Sequence, residues 1–269
     1  MLLRHKDLVG YQLKASDGAI GTIDDLLFDD QNWTIRWIVA DTGSWLPGRK
    51  VLLPPESFIE AHPVGREAAF DLTRKHIEDS PGLEADQPVS RQMEARLYEH
   101  YAHPPYWDHV FANPAAGTVA TVPLAAGGIT RRDDPMTPHE KAASSAREAR
   151  QDLPEQQGDK NLRSVNEVLG YFIQASDGDI GHVEDVFVET DNWKARYLMV
   201  DTRIWSLGRM VLISPDWANS VSWDDKIVSV DVTRDRVRES PEYSPDMPID
   251  RAYEARLYDY YGFPRYWDA

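Results

Sequence analysis

The stretch YQLKASDGAIGTIDD at residues 11–25 returns as YFIQASDGDIGHVED at residues 171–185. Displacing the chain by 160 residues aligns residues 10–108 with residues 170–268 without a gap, with about 38 identities in about 99 positions. Unrelated segments do not match at this level, so a whole domain is repeated. The sequence therefore predicts two copies of one fold, over residues 1–108 and 164–269.

The first part of each copy has the pattern of short β-strands. Asp-Gly at residues 17–18 and 177–178 separates apolar segments, and this dipeptide is a strong hairpin signal because both positions tolerate positive φ. The segments that follow alternate or run apolar and are rich in β-branched residues. About six such strands at close spacing predict a small β-barrel or sandwich in each copy.

The end of each copy has a helical pattern. Apolar residues fall at helical spacing on one face in both copies: Met93, Leu97, Tyr98 and Tyr101, and their equivalents Tyr253, Leu257, Tyr258 and Tyr261. Pro104 and Pro264 then end the helix. The predicted fold is mainly β, with a β-barrel and a C-terminal helix in each copy, and α+β over the whole chain.

The stretch between the copies, residues 109–163, has a different composition. It is rich in Pro, Gly and Ala and predicts a linker. A short helix is predicted within it over residues 137–150. Thr137 would cap this helix, Pro138 would occupy its first turn, and Glu140 would complete a capping box.

The composition excludes several classes of function. A net charge of −16 disfavours nucleic-acid binding and adhesion to anionic membranes, because both need clustered Lys and Arg. The chain has no cysteine, which excludes disulfides and thiolate metal sites. No apolar stretch approaches the roughly 18 residues of a membrane span. We therefore expect a soluble or peripheral protein without direct membrane insertion.

Two segments, each with its repeat, resemble sequences of the PRC-barrel family: KASDGAIGTIDDLLFDD at residues 14–30 and IRWIVADTGSWLPGRKVLLPP at residues 35–55. The resemblance covers roughly residues 8–80 and 168–240. The family takes its name from the cytoplasmic domain of the photosynthetic reaction centre H subunit, and it includes the C-terminal domain of the ribosome maturation factor, which binds a small-subunit protein. The resemblance implies two small barrels that dock onto other proteins, with no shared catalytic residues.

The chain differs from the H-subunit arrangement in carrying two barrels and no N-terminal transmembrane helix. Membrane attachment is therefore expected only through a partner.

Aromatic residues recur at two places and are candidates for partner binding. Trp45 and Trp205 lie in the DTxxWxxGR turn, and the tails end in Tyr106-Trp107 and Tyr266-Trp267. Trp and Tyr are enriched among residues that dominate binding energy. The alternative is that each tryptophan caps its barrel end and each tail seals its own barrel.

The turn also repeats an acid and a base at equal separation. Asp41 with Arg49, and Asp201 with Arg209, are predicted to form structural ion pairs across it, with a binding-site role as the alternative.

No catalytic residue, cofactor or metal site is predicted. The histidines at positions 100, 103 and 109 have Tyr, Phe and Ala as their counterparts in the second copy. The second copy thus retains the same sequence pattern without these imidazoles, which argues against a metal site. The chain also lacks a nucleophile elbow and a phosphate-binding loop.

The predicted function is a non-enzymatic docking or assembly module. Its most specific version is an extrinsic cytoplasmic subunit of a membrane electron-transfer complex, such as a photosynthetic reaction centre. It would be cytoplasmic, or peripheral on the cytoplasmic face of the inner membrane through integral membrane subunits. One alternative is a free-standing, soluble, stress-related protein, single or self-associated. The other is a ligand-binding protein or enzyme with a pocket between the barrels.

Overall fold

The computed structural model describes residues 1–83, 89–103, 105, 159–203, 209–244 and 247–268. The predicted helix over residues 137–150 lies outside these ranges. So do three of the partner-binding candidates, Tyr106, Trp107 and Trp205.

The first part of the chain forms eight elements between residues 12 and 101, preceded by two short ones. The preceding elements are β1 (Leu2–Arg4) and α1 (His5–Leu8). The domain itself contains β2 (Gln12–Ala15), β3 (Gly18–Asp29), β4 (Ile35–Asp41), β5 (Lys50–Leu53), β6 (Phe58–His62), β7 (Glu67–Phe70), α2 (Arg74–Glu78) and α3 (Arg91–Tyr101).

The second part repeats this order. It begins with β8 (Leu162–Ser164) and α4 (Val165–Val168). It continues with β9 (Phe172–Ala175), β10 (Gly178–Glu189), β11 (Lys194–Asp201), β12 (Met210–Ile213), β13 (Ala218–Ser222), β14 (Ile227–Val230), α5 (Arg234–Arg238) and α6 (Arg251–Tyr261). The predicted mainly β fold with two repeats is confirmed.

Each domain is built on one sheet that curls on itself. The strand order is β5-β4-β3-β2-β7-β6 in the first domain and β12-β11-β10-β9-β14-β13 in the second. The outer strands β5 and β6 are consecutive in the chain, and the link from Leu53 to Phe58 spans at most about 18 Å. Six strands in a flat sheet would separate them by about 24 Å. The sheet must therefore bend into a barrel that is open between β5 and β6.

Glycine allows a close approach of neighbouring strands inside each barrel. Gly21 has φ 135°, and a Cβ atom there would lie 2.0 Å from the carbonyl oxygen of Asp41. Gly181 is equally close to the carbonyl oxygen of Asp201. A side chain at either position would push β3 away from β4, or β10 away from β11, so only glycine fits.

The C-terminal helices pack as their sequence pattern predicts. In α3 the side chains of Leu97, Tyr98 and Tyr101 are buried, and in α6 all four predicted residues are buried. Ser90 and Asp250 cap the two helices through their side-chain oxygens. The ring of Tyr98 lies 4.9 Å from that of Trp37, centroid to centroid, so α3 closes the core of its own barrel.

Two short strands are exchanged between the domains. Strand β1 pairs with Phe187–Glu189 of the second sheet, and β8 pairs with Leu27–Asp29 of the first sheet. Strands β3 and β10 are 12 residues long, and their hairpin partners cover only their first halves. Each long strand therefore leaves backbone groups that the other domain's leading strand satisfies.

The two domains meet along a seam with approximate two-fold symmetry. The amide of Ile35 donates to the carbonyl of Trp193 at 2.6 Å, and the amide of Ala195 donates to the carbonyl of Trp33 at 2.8 Å. These four residues occupy equivalent positions in the repeat, so the contact is self-complementary.

Within the ranges given above, no helix is both long enough and apolar enough to cross a membrane.

Candidate functional site

Two grooves open along the seam and are related by its two-fold symmetry. The first seam groove has a volume of about 380 Å³ and is lined by Asp30, Gln31, Trp33, Pro215, Asp216, Ala218, Asn219, Ser220, Val221 and Trp223. The second seam groove has a volume of about 290 Å³ and is lined by Thr34, Ile35, Pro55, Glu56, Phe58, Thr190, Asp191, Asn192 and Trp193. Each groove takes residues from both domains, so neither exists in one domain alone.

A tryptophan with an unusual backbone lies at the base of each groove. Trp33 and Trp193 have φ of 58° and 53°, in the left-handed region that bulky residues avoid at a cost on the order of 1–2 kcal/mol. The hydrogen bonds to their carbonyls across the seam hold this conformation. The ring of Trp33 also stacks on Phe28 at 4.8 Å. Such strain, kept in place by its surroundings, is typical of functional positions.

The residue that lies beside the tryptophan differs between the two grooves. In the second seam groove, Phe58 meets Trp193 edge to face, with ring centroids 5.0 Å apart. The corresponding residue beside Trp33 is Ala218. The smaller side chain leaves the first seam groove wider, which agrees with its larger volume.

The first seam groove has aromatic and acidic walls. Asp216 pairs with Lys194 at 2.9 Å, and Asp30 lies 3.6 Å from the guanidinium of Arg163. That guanidinium also lies 4.5 Å above the ring of Trp223. A groove with aromatic faces, carboxylates and a strand edge is suited to binding an extended chain segment.

The described aromatic candidates pack on their own domains. The ring of Trp45 is partly buried under Arg74, whose guanidinium lies 4.8 Å from its centroid. Tyr266 donates its hydroxyl to Glu254 at 2.8 Å, and Trp267 packs on Tyr258 at 5.3 Å. In the second copy the aromatic tail therefore packs on its own barrel, as the alternative to partner binding expects.

The predicted ion pairs of the turn are wrong. Arg49 donates to the backbone carbonyls of Glu78 and Ser80, and Arg209 donates to those of Arg238 and Ser240. These carbonyls lie at the ends of α2 and α5, where the helix leaves acceptors unpaired and favours a cation. Asp41 instead accepts the amide of Gly43, and Asp201 pairs with Arg203.

Sequence reasoning missed a buried carboxylate in each helix. Glu94 has no exposed surface and accepts the indole N–H of Trp37 at 2.9 Å. It lies 3.4 Å from Arg36, which also binds Asp29 and Asp159. Burial, only partly offset by the charge of Arg36, raises the pKa of Glu94 to about 7. A signal was available, since Glu94 is three and four residues before Leu97 and Tyr98 and so shares their apolar face.

The second domain satisfies the equivalent carboxylate differently. Glu254 accepts the hydroxyls of Tyr197 and Tyr266, each at 2.8 Å. Arg196, the counterpart of Arg36, pairs with Glu189 and lies 3.7 Å above the Tyr266 ring. Both clusters are buried, the first with Asp159 from the segment that precedes β8, and we assign them to stability.

One further group of side chains has the composition of a metal site. Donor atoms of His182, Glu184 and Asp201 lie within 4.8 Å of one another. Arg203 binds Asp201, and Lys6 binds Glu184. The carboxylates are thus neutralised by cations of the chain itself, which explains their clustering without a metal.

No protein-family model matches the chain, and no curated protein is significantly similar to it. Membership of the PRC-barrel family stays a prediction from the quoted phrases.

Proposed function

We propose that the protein is a non-enzymatic docking module that binds a partner protein at the seam between its two domains. The observation that carries the proposal is the first seam groove. It is formed by both domains, holds the strained Trp33 at its base, and has a volume of about 380 Å³, within the usual range of ligand-binding sites.

The arrangement also gives a reason for the tandem repeat. A groove that needs Trp33 from one domain and Ala218 from the other forms only when the domains are held together. The exchanged strands β1 and β8 supply that connection in both directions. We infer that the repeat serves to build a binding surface which a single barrel would lack.

The more specific version of the proposal is an extrinsic subunit of a membrane electron-transfer complex. Its support is the sequence resemblance alone. In this version the protein lies on the cytoplasmic face of the membrane through its partner. A free-standing soluble protein remains the alternative.

The groove itself favours a second candidate, the binding of a small ligand. Pockets between domains are common ligand sites, and aromatic walls with a few polar groups suit small molecules as well as peptides.

The test is native fractionation of the source cells into membranes and cytosol, followed by mass spectrometry of what co-purifies with the tagged protein. We expect a partner protein at fixed stoichiometry, and integral membrane subunits if the specific version holds. Recovery of the protein alone from both fractions, at native expression level, would contradict docking. Native mass spectrometry of that sample would then show whether a small ligand is bound.

A further inference from the structure

The geometry points to the kind of partner segment that the first seam groove binds. We propose that an extended segment adds as a strand to the free edge of β13 and inserts an aromatic side chain beside Trp33. Basic residues flank that aromatic residue. This inference rests on the proposed docking function and specifies its mode.

The first argument is the open strand edge. Strand β13 is the last strand in its sheet, and among the described residues it pairs with β14 alone. Four consecutive residues, 218–221, line the groove, and Asn219 and Ser220 are exposed. An edge strand presents unpaired N–H and C=O groups, to which an extended segment can add by main-chain hydrogen bonds.

The second argument is the internal template in the other groove. Phe58 shows that the space beside the equivalent tryptophan, Trp193, accepts an aromatic ring edge to face at 5.0 Å. Ala218 removes that ring from the first seam groove. Trp33 already stacks on Phe28, and an incoming aromatic side chain at the place that Ala218 leaves would add an edge-to-face contact, which is a favoured geometry for aromatic pairs.

The third argument is charge. The chain carries a net charge of −16, and Asp224 and Asp225 are exposed at the turn that follows β13. Asp30 and Asp216 lie in the groove itself but already pair with Arg163 and Lys194, so the attraction comes from Asp224, Asp225 and the net charge. The position of Arg163, above Trp223 and near Asp30, shows the contact that a basic side chain makes with such walls. Flanking Lys or Arg residues in the segment would be attracted, and acidic ones repelled.

The test uses the full-length protein and three synthetic peptides, KTVFTVK, KTVATVK and ETVFTVE. We expect KTVFTVK to bind at least about tenfold more tightly than either of the other two, because it alone has both the aromatic ring and the basic flanks. Titration followed by amide chemical shifts locates the site. The expected shifts are at residues 218–221 and at the Trp33 indole.

Two reciprocal variants provide matched controls. Ala218→Phe fills the first seam groove as Phe58 fills the second, and we expect it to weaken KTVFTVK binding at least about tenfold. Phe58→Ala changes the equivalent position in the other groove and should leave the affinity within about twofold. Shift mapping on the unmodified protein keeps the test valid if either variant folds poorly.

Equal binding of the three peptides, or shifts centred away from β13, would overturn the proposed mode. Failure of all three peptides to bind would also overturn it. If the native protein still co-purifies with a partner in that case, docking stands and only strand addition is wrong. If no partner co-purifies either, the proposed function fails as well.

Discussion

Three carboxylates surround the guanidinium of Arg36 in the first domain, and one of them, Asp159, comes from the segment that precedes β8 and also lies 3.5 Å from Arg91. Asp29, Asp159 and Glu94 are all buried there, so the cluster has more negative than positive charge when every acid is ionised. Burial opposes ionisation of Asp159, but the amide of Asn161 and the charge of Arg36 together keep its pKa below the usual value. The pKa of Glu94 is raised to about 7, so this residue holds a proton in acidic solution.

Replacing Glu94 by Gln is expected to flatten the pH dependence of stability. A folded-state pKa raised from 4.5 to about 7 means that protonation stabilises the fold. This contribution is complete below pH about 4.5 and is lost as the pH rises through about 7. The loss is on the order of 3 kcal/mol for the unmodified protein and absent for Glu94→Gln.

Urea unfolding at pH 5 and pH 8 measures this difference. Glu239→Gln, at a position whose side chain is 70% exposed, should retain the slope of the unmodified protein. An unchanged slope in Glu94→Gln would show that another group is responsible.

Helices α2 and α3 are joined by a reciprocal contact whose chemistry differs between the copies. His76 donates from Nε2 to the carbonyl of His100 at 2.9 Å, and His100 donates to the carbonyl of His76 at 2.7 Å. In the second domain, Arg236 and Tyr260 make the same exchange between α5 and α6. Side chains of three types, His, Arg and Tyr, thus serve one purpose, which is to fix the C-terminal helix to the helix that follows the last strand.

The histidine version of this contact is expected to weaken in acid. Burial, with the nearby charge of His76, lowers the pKa of His100 below 6.5, so the neutral form is favoured in the folded state. The stabilising contribution is present above pH about 6.5 and is lost as the pH falls through the folded-state pKa. The double variant His76→Arg/His100→Tyr places the side chains of the second domain's contact in the first domain. It should therefore remove the loss of stability in acid that the histidine pair causes.

Thermal unfolding at pH 7.5 and pH 5.5 tests the exchange. We expect the Tm of the unmodified protein to fall by about 2–4 °C more than that of the double variant. Glu94 acts in the opposite direction in both proteins and cancels from the comparison. His62→Arg, at a position whose side chain is 54% exposed, is the control. Equal losses of Tm in the unmodified protein and the double variant would exclude the histidine pair as the cause.

At the scale of the whole molecule, each domain is completed by a strand from the other part of the chain. Leu3 is buried on β1, which pairs with the second sheet. Leu162 packs against the core from β8, which pairs with the first sheet. The seam hydrogen bonds to the carbonyls of Trp33 and Trp193 also join the two domains. Unfolding of one domain therefore removes support from the other.

Shortening a buried side chain on either exchanged strand should destabilise the domain with which that strand pairs. Leu3→Ala is expected to cost about 2 kcal/mol. It should raise hydrogen exchange at Phe187–Glu189 of the second sheet before it affects the first. Leu162→Ala should raise exchange at Leu27–Asp29 of the first sheet instead. If each mutation acted first on its own domain, the exchange of strands would be contradicted.

The sequence alone determined the repeat, the strand-rich first part of each copy and the buried face of each C-terminal helix. These features follow from local periodicity, Asp-Gly turns and self-similarity, which require no knowledge of distant contacts. Leu97 and Leu257 are buried as predicted for this reason.

Only the tertiary structure decided the strand exchange, the acceptors of Arg49 and the difference between the grooves. A three-residue strand such as β1 is too short for its sequence pattern to identify a pairing partner. Its pairing with Phe187–Glu189 also spans more than 180 residues. Arg49 lies eight residues from Asp41, but its guanidinium reaches carbonyls brought near by packing of α2. Ala218 matters only because the seam places it beside Trp33 of the other domain.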